Sequence, residues 1–410
     1  VGELLLTSID HEGTLKGYEN YLIKKISEKI SIPFIVGGGF GKKEDAKSDI
    51  EILLEKRYEK LLTYSVDSLA FPRSYSYKAN AIKKVFPKDW TSGFFAGNLW
   101  HLYSLTGNQD YIEKAEEWTA FIEMEKFNNR THDMGFKVYN SFGNGLKIKE
   151  NKRYKNIIVE SAKTLSARFD ENIKSIRSWD FNKEVWQFPV IIDNMMNLEL
   201  LFEATKISGD SSFHKLAVTH ANTTLKHHFR PDNSCYHVVD YDTLTYQPRM
   251  KVTHQGINDE SSWTRGHGWG IYGYTLAYRY TKDTRYLNRA IATAEYFLNH
   301  KNLPKDGIPY WDFDDPAIPN APRDVSAGTI VAAAMVEIYG YTQEEKYLDY
   351  SKKVMTSLKS PDYILAADFD APFILDHSTG NWPKNDEIDE PIAYGDYYFL
   401  ETLIRLKNIN

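Results

Sequence analysis

A short turn pattern recurs along the chain from residue 49 onward. Each copy is a polar turn, then an aromatic residue, then apolar residues at the spacing of one helix face. After Tyr286, for example, the apolar positions are Ala290, Ala294 and Phe297. The pattern is typical of one helix ending at a turn and a second, amphipathic helix beginning. The copies begin at Thr106, Ser208, Thr281 and Thr342.

The spacing of these copies predicts a repeated helical hairpin. They are separated by 102, 73 and 61 residues, which fits one to two hairpins of about 50–70 residues each. Residues 49–410 then hold about six hairpins, and six hairpins closed into a ring make an (α/α)6 toroid, an all-α fold. An open helical solenoid has the same local signals, but it needs capping repeats, which we do not find.

Residues 1–48 follow a different pattern. Two short apolar runs, Leu4–Ile9 and Ile32–Val36, flank a stretch with helical spacing at 21–30. Strand, helix and strand in this order predict a βαβ-like unit of a parallel sheet.

Thr7–Thr14 and Val36–Gly41 resemble two strand signatures of the cyclase subunit of imidazole glycerol phosphate synthase, a (β/α)8 barrel. Only about two of its eight units are present, and a barrel missing most strands leaves open sheet edges. We therefore expect 1–48 to be a non-functional cyclase-like fragment and 49–410 to be the catalytic domain.

Composition narrows the class of protein and of partner. The 50 Lys and Arg residues against 56 Asp and Glu give a net charge of −6 without a basic block, which argues against nucleic acid or an anionic membrane as partner. The single cysteine, Cys235, excludes an intramolecular disulfide. No apolar run approaches the roughly 20 residues that span a bilayer. We expect a soluble protein, cytoplasmic as the sequence stands or periplasmic if a signal peptide was removed or replaced.

Two carboxylates interrupt the amphipathic pattern one repeat apart. Asp133 stands beside Gly135, which allows close backbone approach to a ligand, and Asp193 follows 60 residues later in a strongly apolar stretch. Groups one hairpin apart should lie at the same end of neighbouring hairpins and face a shared cavity. Gln255, 62 residues after Asp193, continues the series.

The residues alone leave two roles open for each carboxylate. Burial among apolar neighbours would raise the pKa of Asp193, as a general acid at neutral pH requires, whereas a helix N-terminus would lower it. Asp193 is therefore either the acid–base group or a helix cap. Asp133 is either its partner or an ordinary turn residue.

Aromatic and cationic side chains accompany the series. Arg265, between Trp263 and Trp269, either holds a carboxylate bidentately or braces the inner helices. His237 either binds sugar hydroxyls or is a hydrogen-bonded core histidine. Trp90 is a candidate platform for a sugar ring, as aromatic residues make up 14% of the chain. The histidines lack metal-ligand spacing, so we predict no metal site.

These residues lie in motifs that resemble the unsaturated glucuronyl hydrolases, a glycoside hydrolase family of the family 88 type with an (α/α)6 barrel. The similarity runs from about 55 to 408. Its most specific part is the run from His254 to Gly273, where His267-Gly268 replaces the Gln-Ala that is common in the family. The other motifs are Phe71–Ser74, Asp89–Phe95, His132–Phe136, Ile192–Met196, Pro309–Asp314, Pro322–Ala327 and Tyr394–Phe399.

The resemblance implies a hydrolase that removes a 4,5-unsaturated uronic acid from the non-reducing end of lyase-generated di- or oligosaccharides. It implies that Asp193 protonates C4 of the vinyl ether and activates the water that adds at C5, and that Asp133 is the second essential carboxylate. No metal or organic cofactor is implied. The positions that match the surroundings of the uronate are Trp90, His237, Gln255, Trp263, Arg265 and Trp269.

Four other functions are compatible with parts of this pattern. They are an unsaturated rhamnogalacturonyl-type hydrolase, a conventional two-carboxylate glycosidase, a polysaccharide lyase on the same fold, and an inactive sugar-binding toroid.

Overall fold

A computed structural model describes residues 4–7, 25–26, 29, 34–37 and 48–409. The chain divides into two compact units, Val1–Lys56 and Arg57–Asn410. In the first unit, β1 (Leu4–Thr7) and β2 (Phe34–Gly37) pair in parallel, as a βαβ-like pattern requires. The helix predicted at 21–30 and most of the two cyclase-like motifs lie outside the described residues.

Helices dominate the rest of the chain and alternate between an inner and an outer layer. From α2 onward, the even-numbered helices and one π-helix are inner, and the odd-numbered helices are outer. In chain order they are α1 (Asp49–Thr63), α2 (Ser92–Thr106), α3 (Asp110–Ala120), the π-helix (Gly135–Gly143) continued by α4 (Asn144–Ile148), α5 (Lys152–Ser166), α6 (Asn194–Ser208), α7 (Ser211–His227), α8 (Thr264–Thr281), α9 (Thr284–Leu298), α10 (Val325–Thr342), α11 (Glu345–Leu358) and α12 (Ala393–Lys407).

The inner elements form a closed ring. Each packs against the next, from α2 through the π-helix, α6, α8 and α10 to α12, and α12 packs against α2. Closure confirms the predicted toroid and explains why no capping repeats are present: a ring has no terminal repeat to cap.

The distribution of apolar residues distinguishes inner from outer helices, and capping residues mark where one helix ends and the next begins. The outer helices bury one face, whereas inner helices such as α10 are buried nearly all round. By length and composition alone α10 could cross a membrane, but 72% of it is buried inside the protein, as in a core helix. At the predicted turns, Gly107 and Gly209 adopt left-handed conformations after α2 and α6, and Asp210 caps α7 by accepting from the Ser212 backbone N–H.

Short antiparallel strands, which were not predicted, occupy the loops that lead into several inner helices. One sheet of three strands lies directly before α6 and α8. It consists of β7, β8 and β9. The first of these, β7, lies in the apolar stretch that leads to Asp193. The strands are β3 (Phe71–Ser76), β4 (Ala81–Val85), β5 (Phe169–Asp170), β6 (Ser175–Ile176), β7 (Pro189–Ile191), β8 (Val238–Tyr241) and β9 (Pro248–Val252).

Candidate active site

The N-terminal ends of the inner helices meet around one cavity of about 310 Å³. Because every inner helix returns through an outer one, the inner helices run parallel and present their first residues at the same mouth of the ring. Five of the predicted site residues line this cavity: Trp90, Asp133, Asp193, Gln255 and Arg265. The two carboxylates predicted to share a cavity therefore do so.

Asp193 occupies the first position before α6 but does not cap it. Its side chain accepts no capping hydrogen bond from α6, and the residue is only 8% exposed. Burial raises the pKa of its carboxyl to about 7, against the lowering effects of its own backbone N–H and of Arg265; the nearby Asp133 adds a smaller upward shift. A carboxyl with this pKa can both donate and accept a proton near neutrality.

His237 faces Asp193 from the neighbouring strand. Ile191 at the end of β7 pairs with Val238 at the start of β8, which brings the two side chains together, with His237 Nε2 lying 3.7 Å from Asp193 Oδ1. The backbone N–H of His254 donates to His237 Nδ1 at 3.1 Å, so the ring proton is on Nε2 and points toward Asp193. Burial holds the pKa of His237 well below its usual value, so the ring is neutral.

Asp133 is held by its own neighbours in the loop before the π-helix. Thr131 Oγ1 donates to its Oδ2 at 2.6 Å, and His132 Nε2 lies 3.1 Å from its Oδ1. His132 is fixed in turn by a 2.8 Å hydrogen bond between Nδ1 and the carbonyl oxygen of Ser178. The carboxylate therefore has a defined orientation at the cavity wall.

Gly135 brings the two carboxylate-bearing elements together, which differs from the predicted approach to a ligand. A Cβ at this position would lie 2.7 Å from the Cα of Asn197 in α6, closer than real contacts allow. The Asn197 amide oxygen also accepts from the Phe136 backbone N–H at 3.0 Å. The missing side chain serves the packing of the π-helix on α6.

Arg265 braces the rim, one of the two roles that the sequence left open. Its terminal nitrogens donate to the Asp324 carboxylate and to the carbonyl oxygens of Thr379 and Gly380. The guanidinium also lies 4.7 Å from the ring of Trp263. Because both terminal nitrogens are engaged, Arg265 contributes positive charge at the cavity and has little capacity left for a bidentate grip on a ligand.

Trp263 and Trp269 lie behind the cavity wall, whereas we expected both to surround the sugar. Trp263 is 3% exposed, between Arg265 and the ring of His237. Trp269 is fully buried against Phe136, since it sits more than a helical turn into α8. They support the residues at the wall, and Trp90 remains the predicted indole that lines it.

His267, the departure from the family motif, is also a core residue. Its Nδ1 bonds to the Trp263 carbonyl oxygen at 3.0 Å, and its Nε2 accepts from the Cys235 backbone N–H at 3.2 Å. Its ring stacks on Tyr296. The substitution therefore alters the support beneath the site and leaves the cavity wall unchanged.

Several wall residues were not predicted. Phe181 lies in a loop, Lys384 ends a short 3-10 helix (Trp382–Lys384), and Arg73 and His254 stand in motifs whose roles were not separated. Arg73 is neutralised by Glu387 and Asp89. Lys384 is exposed, so it is the cation at this wall that is open to solvent. Short strands, a 3-10 helix and loops outside the helical repeat bring these residues to the cavity, which explains why spacing did not find them.

Known proteins resemble both parts of the chain. A model of the Glycosyl Hydrolase Family 88 matches residues 70–280, and a model described as Histidine biosynthesis protein matches residues 1–57. The imidazole glycerol phosphate synthase subunit HisF of Legionella pneumophila is 57% identical over 44 residues, which are 11% of this chain and 21% of that protein.

The similarity of the helical part is much more extensive. An unsaturated glucuronyl hydrolase of Formosa agariphila is 59% identical over 87% of this chain and 89% of its own length. An unsaturated chondroitin disaccharide hydrolase of Streptococcus agalactiae is 31% identical over 88% and 92%. A crystal structure of an unsaturated glucuronyl hydrolase specific for heparin superposes with a TM-score of 0.84 at 39% identity, covering 88% and 96%. The chain therefore belongs to glycosyl hydrolase family 88.

Proposed function

We propose that this glycoside hydrolase removes a 4,5-unsaturated uronic acid from the non-reducing end of lyase-generated oligosaccharides by hydrating its C4=C5 vinyl ether. The observation that carries the proposal is the buried Asp193 carboxyl, whose pKa is raised to about 7 in the same cavity wall as Asp133. Protonation of carbon needs an acid that is still protonated near neutral pH, and burial supplies one here.

The proposed reaction uses one carboxyl twice. The Asp193 proton is transferred to C4, which leaves positive charge shared by C5 and the ring oxygen. The Asp193 carboxylate then accepts a proton from a water molecule as its oxygen bonds to C5. The resulting hemiketal opens to a ketone at C5, and C1, now a hemiacetal, releases the next sugar as an alcohol.

Neighbouring residues would set the orientation of this acid. The Nε2–H of His237 points toward Oδ1 of Asp193 from 3.7 Å, too far for a hydrogen bond, so the Asp193 proton remains available for transfer. Asp133, oriented by Thr131, would hold ring hydroxyls near the double bond. The positive charge of Arg265 is suited to attract the uronate carboxylate without a bidentate contact.

Relatives support the substrate class. They are named as unsaturated glucuronyl hydrolases and unsaturated chondroitin disaccharide hydrolases, and one related structure contains dGlcA-GalNAc6S. We extend to this chain the feature that these share, an unsaturated glucuronic acid at the non-reducing end.

Two measurements test this reaction: the loss of the C4=C5 double bond and the incorporation of deuterium at C4. Incubation of lyase-generated disaccharides with the protein should remove the ultraviolet absorbance of the conjugated enol carboxylate, whereas a polysaccharide lyase would create it. In D2O the released uronic acid should carry one deuterium at C4. Release of the sugar without deuterium at C4 would instead indicate direct displacement by a conventional two-carboxylate glycosidase. A panel that includes an unsaturated rhamnogalacturonan disaccharide separates the rhamnogalacturonyl-type alternative.

A further inference from the structure

We propose that the active-site cleft continues beyond Trp179 and Phe181 into a second compartment, which binds an anionic second sugar of the leaving group. The inference rests on the proposed function, because it adds a binding site for the part of the substrate that is released. We therefore expect this protein to prefer oligosaccharides that are longer than a disaccharide.

A second cavity adjoins the first and shares part of its wall. It also measures about 310 Å³, and both cavities are lined by Trp179 and Phe181. These two rings are stacked, with centroids 5.0 Å apart and planes at 13°. Its other lining residues are Arg177, Asp180, Lys183, Trp186, Gln187 and Thr243.

The shared wall has the chemistry of a sugar platform. Phe181 is 46% exposed, which costs free energy in water unless a ligand covers the ring. The buried Nε1–H of Trp179 has no hydrogen-bond acceptor among the described residues. An aromatic face together with an unused donor matches the apolar face and the hydroxyls of a pyranose.

The second compartment also carries an unpaired positive charge. Its one carboxylate, Asp180, is shared by Arg168 and Arg177, and Lys183 has no carboxylate partner among the described residues. Arg177 is further held by the Gln187 carbonyl oxygen at 3.0 Å. Lys183 is therefore the cation free to meet a carboxylate or a sulfate on the substrate.

Substrate length and charge test the inference. The probes are unsulfated chondroitin disaccharide and tetrasaccharide from lyase digestion, in which the second leaving-group ring of the tetrasaccharide is a glucuronic acid, and dGlcA-Glc-Rha-Glc, in which that ring is neutral. We expect the wild-type kcat/KM for the chondroitin tetrasaccharide to exceed that for the disaccharide by about threefold or more. The gain should appear mainly in KM.

Substitutions at two exposed residues separate the effect of the Lys183 charge from the effect of free space in the second compartment. Lys183→Gln should abolish the advantage of the chondroitin tetrasaccharide while leaving the disaccharide and dGlcA-Glc-Rha-Glc unchanged. Thr243→Trp should fill the compartment and lower kcat/KM for both tetrasaccharides by about tenfold, with little effect on the disaccharide. Lys226→Gln is the matched control, because Lys226 is an exposed lysine in the wall of a separate cavity.

The outcomes are distinguishable. Equal kcat/KM for both chondroitin lengths, or equal effects of each variant on both lengths, would overturn the second compartment but leave the proposed function standing. A loss confined to Thr243→Trp would overturn the recognition of an anionic group. Failure of the wild-type protein to act on any of the three probes would contradict the proposed function and, with it, this inference.

Discussion

Acidic residues lie toward both ends of the ring of inner helices, and the two sets have opposite surroundings. In the C-terminal halves, Glu337 of α10 accepts hydrogen bonds from Arg279 and Arg405, which also contact Glu199 and Glu401. At the N-terminal mouth, Asp193 has no cation within salt-bridge distance among the described residues apart from the 3.7 Å approach of the neutral His237.

The pKa values of these carboxyls move in opposite directions. Burial would raise the pKa of Glu337, but Arg279 and Arg405 outweigh it and hold the value at about 2. At Asp193 burial prevails, and the value rises to about 7. Burial alone therefore does not identify a catalytic carboxyl, because the absence of a compensating cation is what distinguishes Asp193.

The two ends of the ring therefore differ in role. In the C-terminal part, the carboxylates Glu199, Glu337 and Glu401 and the guanidinium groups of Arg279 and Arg405 neutralise one another. At the mouth, Asp193 Oδ1, His237 Nε2 and Trp179 Nε1 are buried without hydrogen-bond partners in the described part of the chain. Such atoms are costly unless a ligand or water satisfies them, which is the arrangement expected of a substrate site.

Asp193→Asn should produce the largest change. The amide has the same shape but no transferable proton, so we expect kcat to fall by about 10³-fold while substrate still binds. Loss of ultraviolet absorbance gives kcat, and calorimetry gives Kd. Asp210→Asn is the matched control, because Asp210 caps α7 away from the cavity and an Asn can keep this cap, so turnover should not change. Retained turnover in Asp193→Asn would remove this residue from the chemistry.

Glu337→Gln should affect the other end of the ring in the opposite way. Removing this charge leaves the partly buried Arg279 and Arg405 without one of their anions, so unfolding should become easier by about 2 kcal/mol. At a temperature where the variant is folded, kcat should match the wild type. Urea unfolding measures the change, with the exposed Glu345→Gln as control. A large loss of kcat with unchanged stability would contradict the division between the two ends.

The two ends should also respond oppositely to pH. The pKa of Asp193 is raised from 3.8 to about 7, so its stabilising contribution is lost as pH rises through 7. Glu337, with a lowered pKa, stabilises the fold above about pH 4.5 and loses this effect as pH falls toward 2. From pH 5 to pH 8 we expect the Tm of Asp193→Asn to rise relative to wild type by about 2–4 °C. A constant difference in Tm would place the Asp193 pKa near its ordinary value.

His267→Gln should have the smallest effect at the mouth. The histidine makes two hydrogen bonds beneath the site but does not line the cavity, so we expect a loss of about 1 kcal/mol in stability and unchanged kcat/KM for each substrate. Thermal unfolding and a substrate panel measure both. A changed order of preferred substrates would show that this position acts on specificity.

Much of the fold was predictable because local signals repeat. The turn motifs place helix ends correctly, since α2 ends at Thr106 and α6 at Ser208, where two copies of the motif begin. Phase along the repeat was sufficient to bring Asp133 and Asp193 to one cavity, since equivalent positions in a ring face the same mouth.

Contacts between distant segments were not predictable in this way. Arg265 is occupied by carbonyl oxygens of Thr379 and Gly380, more than 110 residues away in the chain. Trp269 is buried because its ring packs behind Phe136, a contact between two inner helices that spacing along the chain does not indicate. Phe181 reaches the cavity through an irregular loop, and Lys384 through a short 3-10 helix. The spacing of sequence motifs predicts periodic helices, but it does not predict which loop packs against them.

The parallel orientation of the inner helices has an electrostatic consequence. Each helix contributes partial positive charge, roughly half an elementary charge, at its N-terminus, and here these termini converge on one mouth. Although the chain as a whole carries a net charge of −6 and Asp133 and Asp386 line this opening, we expect the converging helix termini to favour an anion there. An acidic sugar therefore approaches a locally favourable potential on an otherwise repulsive protein, and its rate of association should fall as salt is added.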